Sequence, residues 1–220
     1  MPENFDLAQE IDKYLNSRPE QEKERTYFYI SEVTKSKKEI YNSFKGKKKE
    51  KTEAKLHRIF DNGNEVHSRF YKYFAEMGIL VAAEVDAVKN DLIHGRLDAI
   101  ITDRQKNYVV DIKSMSQWSF QKLKDDPVYD HKIQLLMYMY YTNIPQGFIL
   151  VECKDNQTIK TFYIELDEKN KKMIEKIIEE LKVLKENYID KGIEPEDKPI
   201  ALEELQYDWI WFLCKRTNRI

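Results

Sequence analysis

The stretch 95–113, Gly-Arg-Leu-Asp-Ala-Ile-Ile-Thr-Asp-Arg-Gln-Lys-Asn-Tyr-Val-Val-Asp-Ile-Lys, constrains this chain more than any other. Two apolar runs, Leu97 with Ala99, Ile100 and Ile101, then Tyr108 with Val109, Val110 and Ile112, flank the polar segment 103–107. That is the pattern of two strands joined by a tight turn. Each strand carries one aspartate, Asp98 and Asp111, where a buried strand takes an apolar residue. A carboxylate in a sheet core is costly unless it is paired. Two of them brought together by a hairpin repel, and a divalent cation is their natural partner. Lys113 follows Asp111 by two residues, so both side chains lie on one face of the strand. Charged residues make up 35% of the chain, and Asp-x-Lys is short enough to arise by chance in such a sequence. A charged strand end with one buried salt bridge is the plainer alternative.

The remaining chain places this hairpin in an α/β pattern. A short amphipathic helix is predicted over 3–17, then an aromatic patch at Tyr27, Phe28 and Tyr29. A long helix, or two interrupted at Gly63, covers 56–80, with Leu56, Ile59, Phe60, Val66, Phe70, Phe74 and Met77 as its apolar side. The first sheet strand follows at 79–85, with Glu84 either pointing at the site as an outer group or, as favoured, ending the strand, and 86–91 as the turn into the hairpin. Residues 114–130 read as irregular, 131–141 as a helix, 147–153 and 158–166 as strands, and 169–188 as an amphipathic helix. A linker at 192–199 leads to Tyr207, Trp209, Trp211 and Phe212. The expected fold is a central mixed β-sheet of about five strands flanked by helices. Three regions are expected: an N-terminal helical and basic segment at 1–55, a core at 56–190, and an aromatic tail at 191–220.

At 220 residues one domain with an appendage is expected. The formal net charge is −2, so any basic surface must be local. The run 35–55 supplies one, with Lys37, Lys38, Lys47, Lys48 and Lys49 as candidates for a phosphate backbone; a solvated loop is the alternative. Trp118, past the hairpin, would either stack on a base or pack under a loop. His131, at the start of the next helix, joins the nucleic-acid candidates. Two distant cysteines, Cys153 and Cys214, suggest a reducing compartment without disulfides. No run approaches the ~18 apolar residues of a membrane span. A cytoplasmic protein is expected.

Four short signals stand in order: Gly63-Asn-Glu-Val-His67, Asp98, Asp111-Ile112-Lys113, and Gln134-Leu-Leu-Met-Tyr138. A helical histidine beside apolar residues is usually a hydrogen-bonded core residue, and a Gln/Tyr pair one turn apart is usually incidental. Together, in this order, they resemble the RecB-like branch of the PD-(D/E)XK nuclease superfamily, whose fold is restriction-endonuclease-like. The resemblance implies that His67, Asp98, Asp111 and the Ile112 carbonyl hold Mg²⁺ or Mn²⁺. It implies that Lys113 orients the attacking water or donates to the phosphate, with Gln134 and Tyr138 in support; Glu65 is a weaker rival to His67. The implied substrate is DNA, cut by an exonuclease or structure-dependent nuclease in repair, recombination or phage replication, in a bacterial or phage-infected cell. The alternative is a non-catalytic nucleic-acid binder on the same scaffold. No Gly-x-x-x-x-Gly-Lys-Ser/Thr motor motif occurs, so a helicase or recombination partner would be a separate chain. Several relatives hold an iron–sulfur cluster on four cysteines. Here Ser36 stands roughly where the upstream one belongs and the tail offers only Cys214, so no such cluster is expected. Packing of the aromatic tail on the Tyr27–Tyr29 region would take its place.

Overall fold

The computed structural model describes residues 5–19, 25–46 and 52–200. Lys47, Lys48, Lys49, Cys214 and the tail aromatics Tyr207, Trp209, Trp211 and Phe212 lie outside the described residues, and the tail's expected packing with them.

Six strands make one mixed sheet: β1 (Phe28–Tyr29), β2 (Leu80–Lys89), β3 (Ile93–Thr102), β4 (Asn107–Met115), β5 (Gln146–Cys153) and β6 (Ile159–Glu165). Five match the strands read from the sequence; the aromatic patch adds β1. β2 pairs antiparallel along one edge of β3. The other edge of β3 is shared by β1, parallel at Ile93 and His94, and by β4, antiparallel from Ala99 to Thr102. β4 and β5 run parallel, and β6 closes the sheet antiparallel to β5. A parallel step needs a crossover, which α4 (Gln117–Gln121) and α5 (Tyr129–Thr142) supply. Residues 114–130 are thus less irregular than expected, because Ser116 caps α4 by accepting from the Ser119 N–H.

Alternation along the strands sorts the core onto two faces. Val109, Ile149 and Val151 join Leu135, Leu136 and Met139 of α5, with Ile174, Ile177 and Leu181 of α6 (Glu168–Leu184) in the same cluster. Val110, Ile112 and Leu150 face Val66, Phe70 and Phe74 of α3 (Ala54–Glu76) instead. Early and late segments of the described chain are built into the first cluster: Phe28, Ile30, Val33 and Ile40 from before β2, and Ile200 from after β6.

Three local expectations change. Gly63 does not interrupt α3, which runs unbroken for 23 residues. Leu56, Ile59, Phe60 and Met77 are exposed rather than buried. The first three lie in the N-terminal half of α3, whose described partner is α1 (Leu7–Asn16), tied on by Arg18–Asp61 and Arg58–Asp12 ion pairs. Finally, the hairpin turn lies at Asn90, whose carboxamide oxygen accepts from the Leu92 and Ile93 N–H groups. β2 therefore continues past Glu84, which sits inside the strand and does not end it.

Candidate active site

Backbone pairing of β3 with β4 stops at Ala99 and Val110. One residue further on, Asp98 substitutes its side chain for the missing strand partner: Oδ2 accepts the Ile112 N–H at 2.6 Å. Asp111 is fully buried beside it. Lys113, on the same face of β4, donates to Asp111 Oδ1 at 2.9 Å and to Gln134 Oε1 at 3.1 Å. Gln134 donates in turn to the Tyr138 hydroxyl at 3.0 Å, so one face of α5 holds the ammonium in place. From the opposite layer, α3 brings His67 Nδ1 to 3.5 Å from Asp98 Oδ1, with the Ile112 carbonyl in hydrogen-bonding reach of the imidazole. His67, Asp98, Asp111, Ile112, Lys113, Gln134 and Tyr138 thus converge on one point of the sheet, between two helices on opposite faces. Glu65 is exposed and points elsewhere on α3.

The nucleic-acid candidates divide. Lys37 and Lys38, in α2 (Lys37–Phe44), are engaged with carboxylates, Glu180 at 2.7 Å and Glu194 at 2.6 Å. Ser36 caps that helix in a reciprocal capping box with Glu39. Trp118 is 58% exposed, with the Lys122 ammonium over its ring, so it does not pack under a loop. His131, in the first turn of α5, is half-buried, and its Nδ1 has no hydrogen-bond partner. Burial and the Lys113 charge push its pKa down to about 4, so its imidazole is neutral at physiological pH.

Of the residues behind His67, the sequence points to Glu84 as a group that could face the site, but not to Tyr71 or Arg96. The Tyr71 hydroxyl lies 3.4 Å from His67 Nδ1 and donates to Glu84 Oε1 at 3.0 Å. Arg96 Nη2 holds Glu84 Oε2 at 2.8 Å. A four-residue spacing from His67 to Tyr71, like that of Gln134 to Tyr138, is the sequence signal that could have found the first of them.

The sequence matches the family model of the PD-(D/E)XK nuclease superfamily over residues 6–209. The chain belongs to this superfamily. Among solved structures, it is similar to LHK-Exo, an alkaline exonuclease from Laribacter hongkongensis, with 16% identity and a TM-score of 0.57; the match covers 84% of this chain and 95% of that one. LHK-Exo in complex with dAMP gives 18% identity and a TM-score of 0.56 over 74% of this chain and 90% of that one. The structure of SSO0001 gives 18% identity and a TM-score of 0.54, covering 82% and 87%. Likeness at these identities is one of fold, the restriction-endonuclease-like fold of the superfamily, and is consistent with its RecB-like branch. No curated protein sequence matches the chain. Among the described residues no helix is long and apolar enough to cross a membrane.

PD-(D/E)XK nucleases generally use divalent metals, and the electrostatics of the site bear on whether these residues suit one. Burial pushes the Asp98 and Asp111 carboxyls up to about 6; Lys113 opposes the rise at both, and Asp98 adds to it at Asp111. Burial, then Lys113, pushes the His67 pKa down, which keeps its imidazole neutral and able to ligate. Asp111 Oδ2 is buried without a hydrogen-bond partner. Among the described residues, no three histidine, cysteine or acidic groups stand together in a way that could hold a metal ion as they are placed; Asp98 turns one oxygen to the Ile112 N–H and Asp111 one to Lys113. The donor set still fits a hard divalent cation: two carboxylates, a backbone carbonyl and an imidazole, with one carboxylate oxygen otherwise unsatisfied.

Proposed function

We propose that this PD-(D/E)XK nuclease is a Mg²⁺- or Mn²⁺-dependent deoxyribonuclease that degrades DNA from its ends. The observation that carries the reading is the convergence of His67, Asp98, Asp111 and Lys113 where β3 and β4 part, with one buried oxygen of Asp111 lacking any partner. The exonuclease named among its fold neighbours, with dAMP bound in one structure, supports DNA as substrate and cleavage at ends.

His67, Asp98, Asp111 and the Ile112 carbonyl would hold the cation, which when bound polarises a phosphate oxygen and lowers the pKa of water. Asp98 and Asp111 supply the negative charge for that site, and burial sets that charge in a low-dielectric pocket where it acts strongly. Lys113 places an ammonium where negative charge grows on the phosphate as the bond to the leaving oxygen breaks. Gln134 keeps that ammonium from collapsing wholly onto Asp111, and Tyr138 fixes the carboxamide. Removing a comparable electrostatic donor costs about 2.7–4 kcal/mol in the transition state.

Digestion of linear and circular duplex DNA with Mn²⁺, with and without chelator, tests the proposal. Linear DNA should shorten while the circle survives, and chelator should stop the reaction. Lys113→Ala should slow it ~10²–10³-fold and Asp111→Ala at least as much, with both variants folded by circular dichroism. Cutting of the circle would overturn the end requirement. Full activity in both variants would overturn the assignment of the site.

A further inference from the structure

Behind His67 stands a chain of contacts that the reaction itself does not use. We propose that Tyr71, braced by Glu84 and Arg96, is a positioning residue that fixes the His67 imidazole for cation binding; the inference rests on the function proposed above.

His67 and Tyr71 are one turn apart on α3, so their side chains share a face. The hydroxyl of Tyr71 sits 3.4 Å from His67 Nδ1, and Asp98 Oδ1 sits 3.5 Å from the same nitrogen. Two neighbours on one ring nitrogen limit rotation of the imidazole. A hydroxyl has a single proton to give, and Tyr71 gives it to Glu84 Oε1 at 3.0 Å. That proton stays on: burial, Asp98 and the Glu84 contact all push the Tyr71 pKa well above the ordinary tyrosine range.

Glu84 is an unusual anchor. Its neighbours pair as Ala83 with Ala99 and Val85 with Leu97, which sets Glu84 directly across from Asp98. Its φ is +56°, a left-handed conformation that strains a residue with a side chain and persists only where the surroundings impose it. Arg96 contacts the residue at both ends, through Nη2 to the carboxylate at 2.8 Å and Nε to the Glu84 main-chain carbonyl at 3.0 Å. The guanidinium also balances a second carboxylate near Asp98. The path runs Arg96, Glu84, Tyr71, His67, with each link a named contact. Outer partners of a ligating histidine typically change metal affinity 10–100-fold when removed.

Mn²⁺ binding to the full chain by isothermal titration calorimetry tests this, with Tyr71→Phe and Glu84→Gln beside the parent. Tyr71→Phe removes one oxygen atom and no packing volume. The expected result is a dissociation constant raised about 10-fold or more in both variants. Melting temperatures should stay near the parent's, and cleavage should recover at saturating Mn²⁺. Parent-like Mn²⁺ affinity in Tyr71→Phe would overturn the positioning role and leave the proposed function standing. A parent chain that neither binds Mn²⁺ nor cuts DNA would overturn the function itself, and this inference with it.

Discussion

Asp98, Asp111 and Lys113 were legible because they violate the apolar pattern of their own strands, and a violation of that kind asks for a partner. Tyr71 and Arg96 violate nothing: each suits an exposed position on a helix or strand, and only the register of β2 on β3 sets Glu84 opposite Asp98. His131 lies between these cases, since its position in the sequence says nothing of its burial. Its pKa, lowered to about 4 from the ordinary value near 6.5, gives a prediction with a definite sign. A depressed histidine contributes stability that is present above pH ~6.5 and lost as pH falls through the folded value. Between pH 7 and pH 4 the parent should therefore lose up to about 3 kcal/mol that His131→Asn does not lose. Urea titrations of both proteins across that range in chelator measure it. Parallel pH profiles would place His131 in a wetter setting than the structure gives it.

At the scale of elements, the order of helices and strands followed from hydrophobic period and turn residues, while the ends of elements did not. The α3 stripe reads apolar throughout, yet periodicity cannot tell how far the sheet extends beneath a helix. Beyond its edge Leu56, Ile59 and Phe60 are exposed. β2 ran longer than expected because it absorbs two register shifts, which a strict alternation of two would treat as the strand's end. Two glycines make opposite predictions from the same substitution. A Cβ at Gly63 would meet nothing within 4 Å. Gly63→Ala should thus stabilise α3 by about 0.5–1 kcal/mol and raise the melting temperature. A Cβ at Gly147 would lie 2.8 Å from the Val109 carbonyl oxygen, a backbone atom in the neighbouring strand, and 3.0 Å from Met139 Sδ. Gly147→Ala should cost about 1–3 kcal/mol by forcing β5 away from β4. Thermal melts of the two variants separate these outcomes, and a shared direction of change would contradict the packing described.

Across the whole molecule, the site draws on two helical layers, one on each face of the sheet. α3 delivers the imidazole from one face and α5 steadies the ammonium from the other, while the sheet between them carries both carboxylates. The early residues Phe28, Ile30 and Ile40 and the late residue Ile200 lie in the same apolar cluster as Leu135 and Met139 of α5. These early and late residues of the described chain therefore help set the α5 side of the site. Anomalous diffraction from crystals grown with Mn²⁺ tests the central claim most directly. One peak should appear at about 2.0–2.4 Å from oxygens of both Asp98 and Asp111, with His67 and the Ile112 carbonyl completing the protein's share of its ligands. A peak elsewhere, or none at that point of the sheet, would contradict the account.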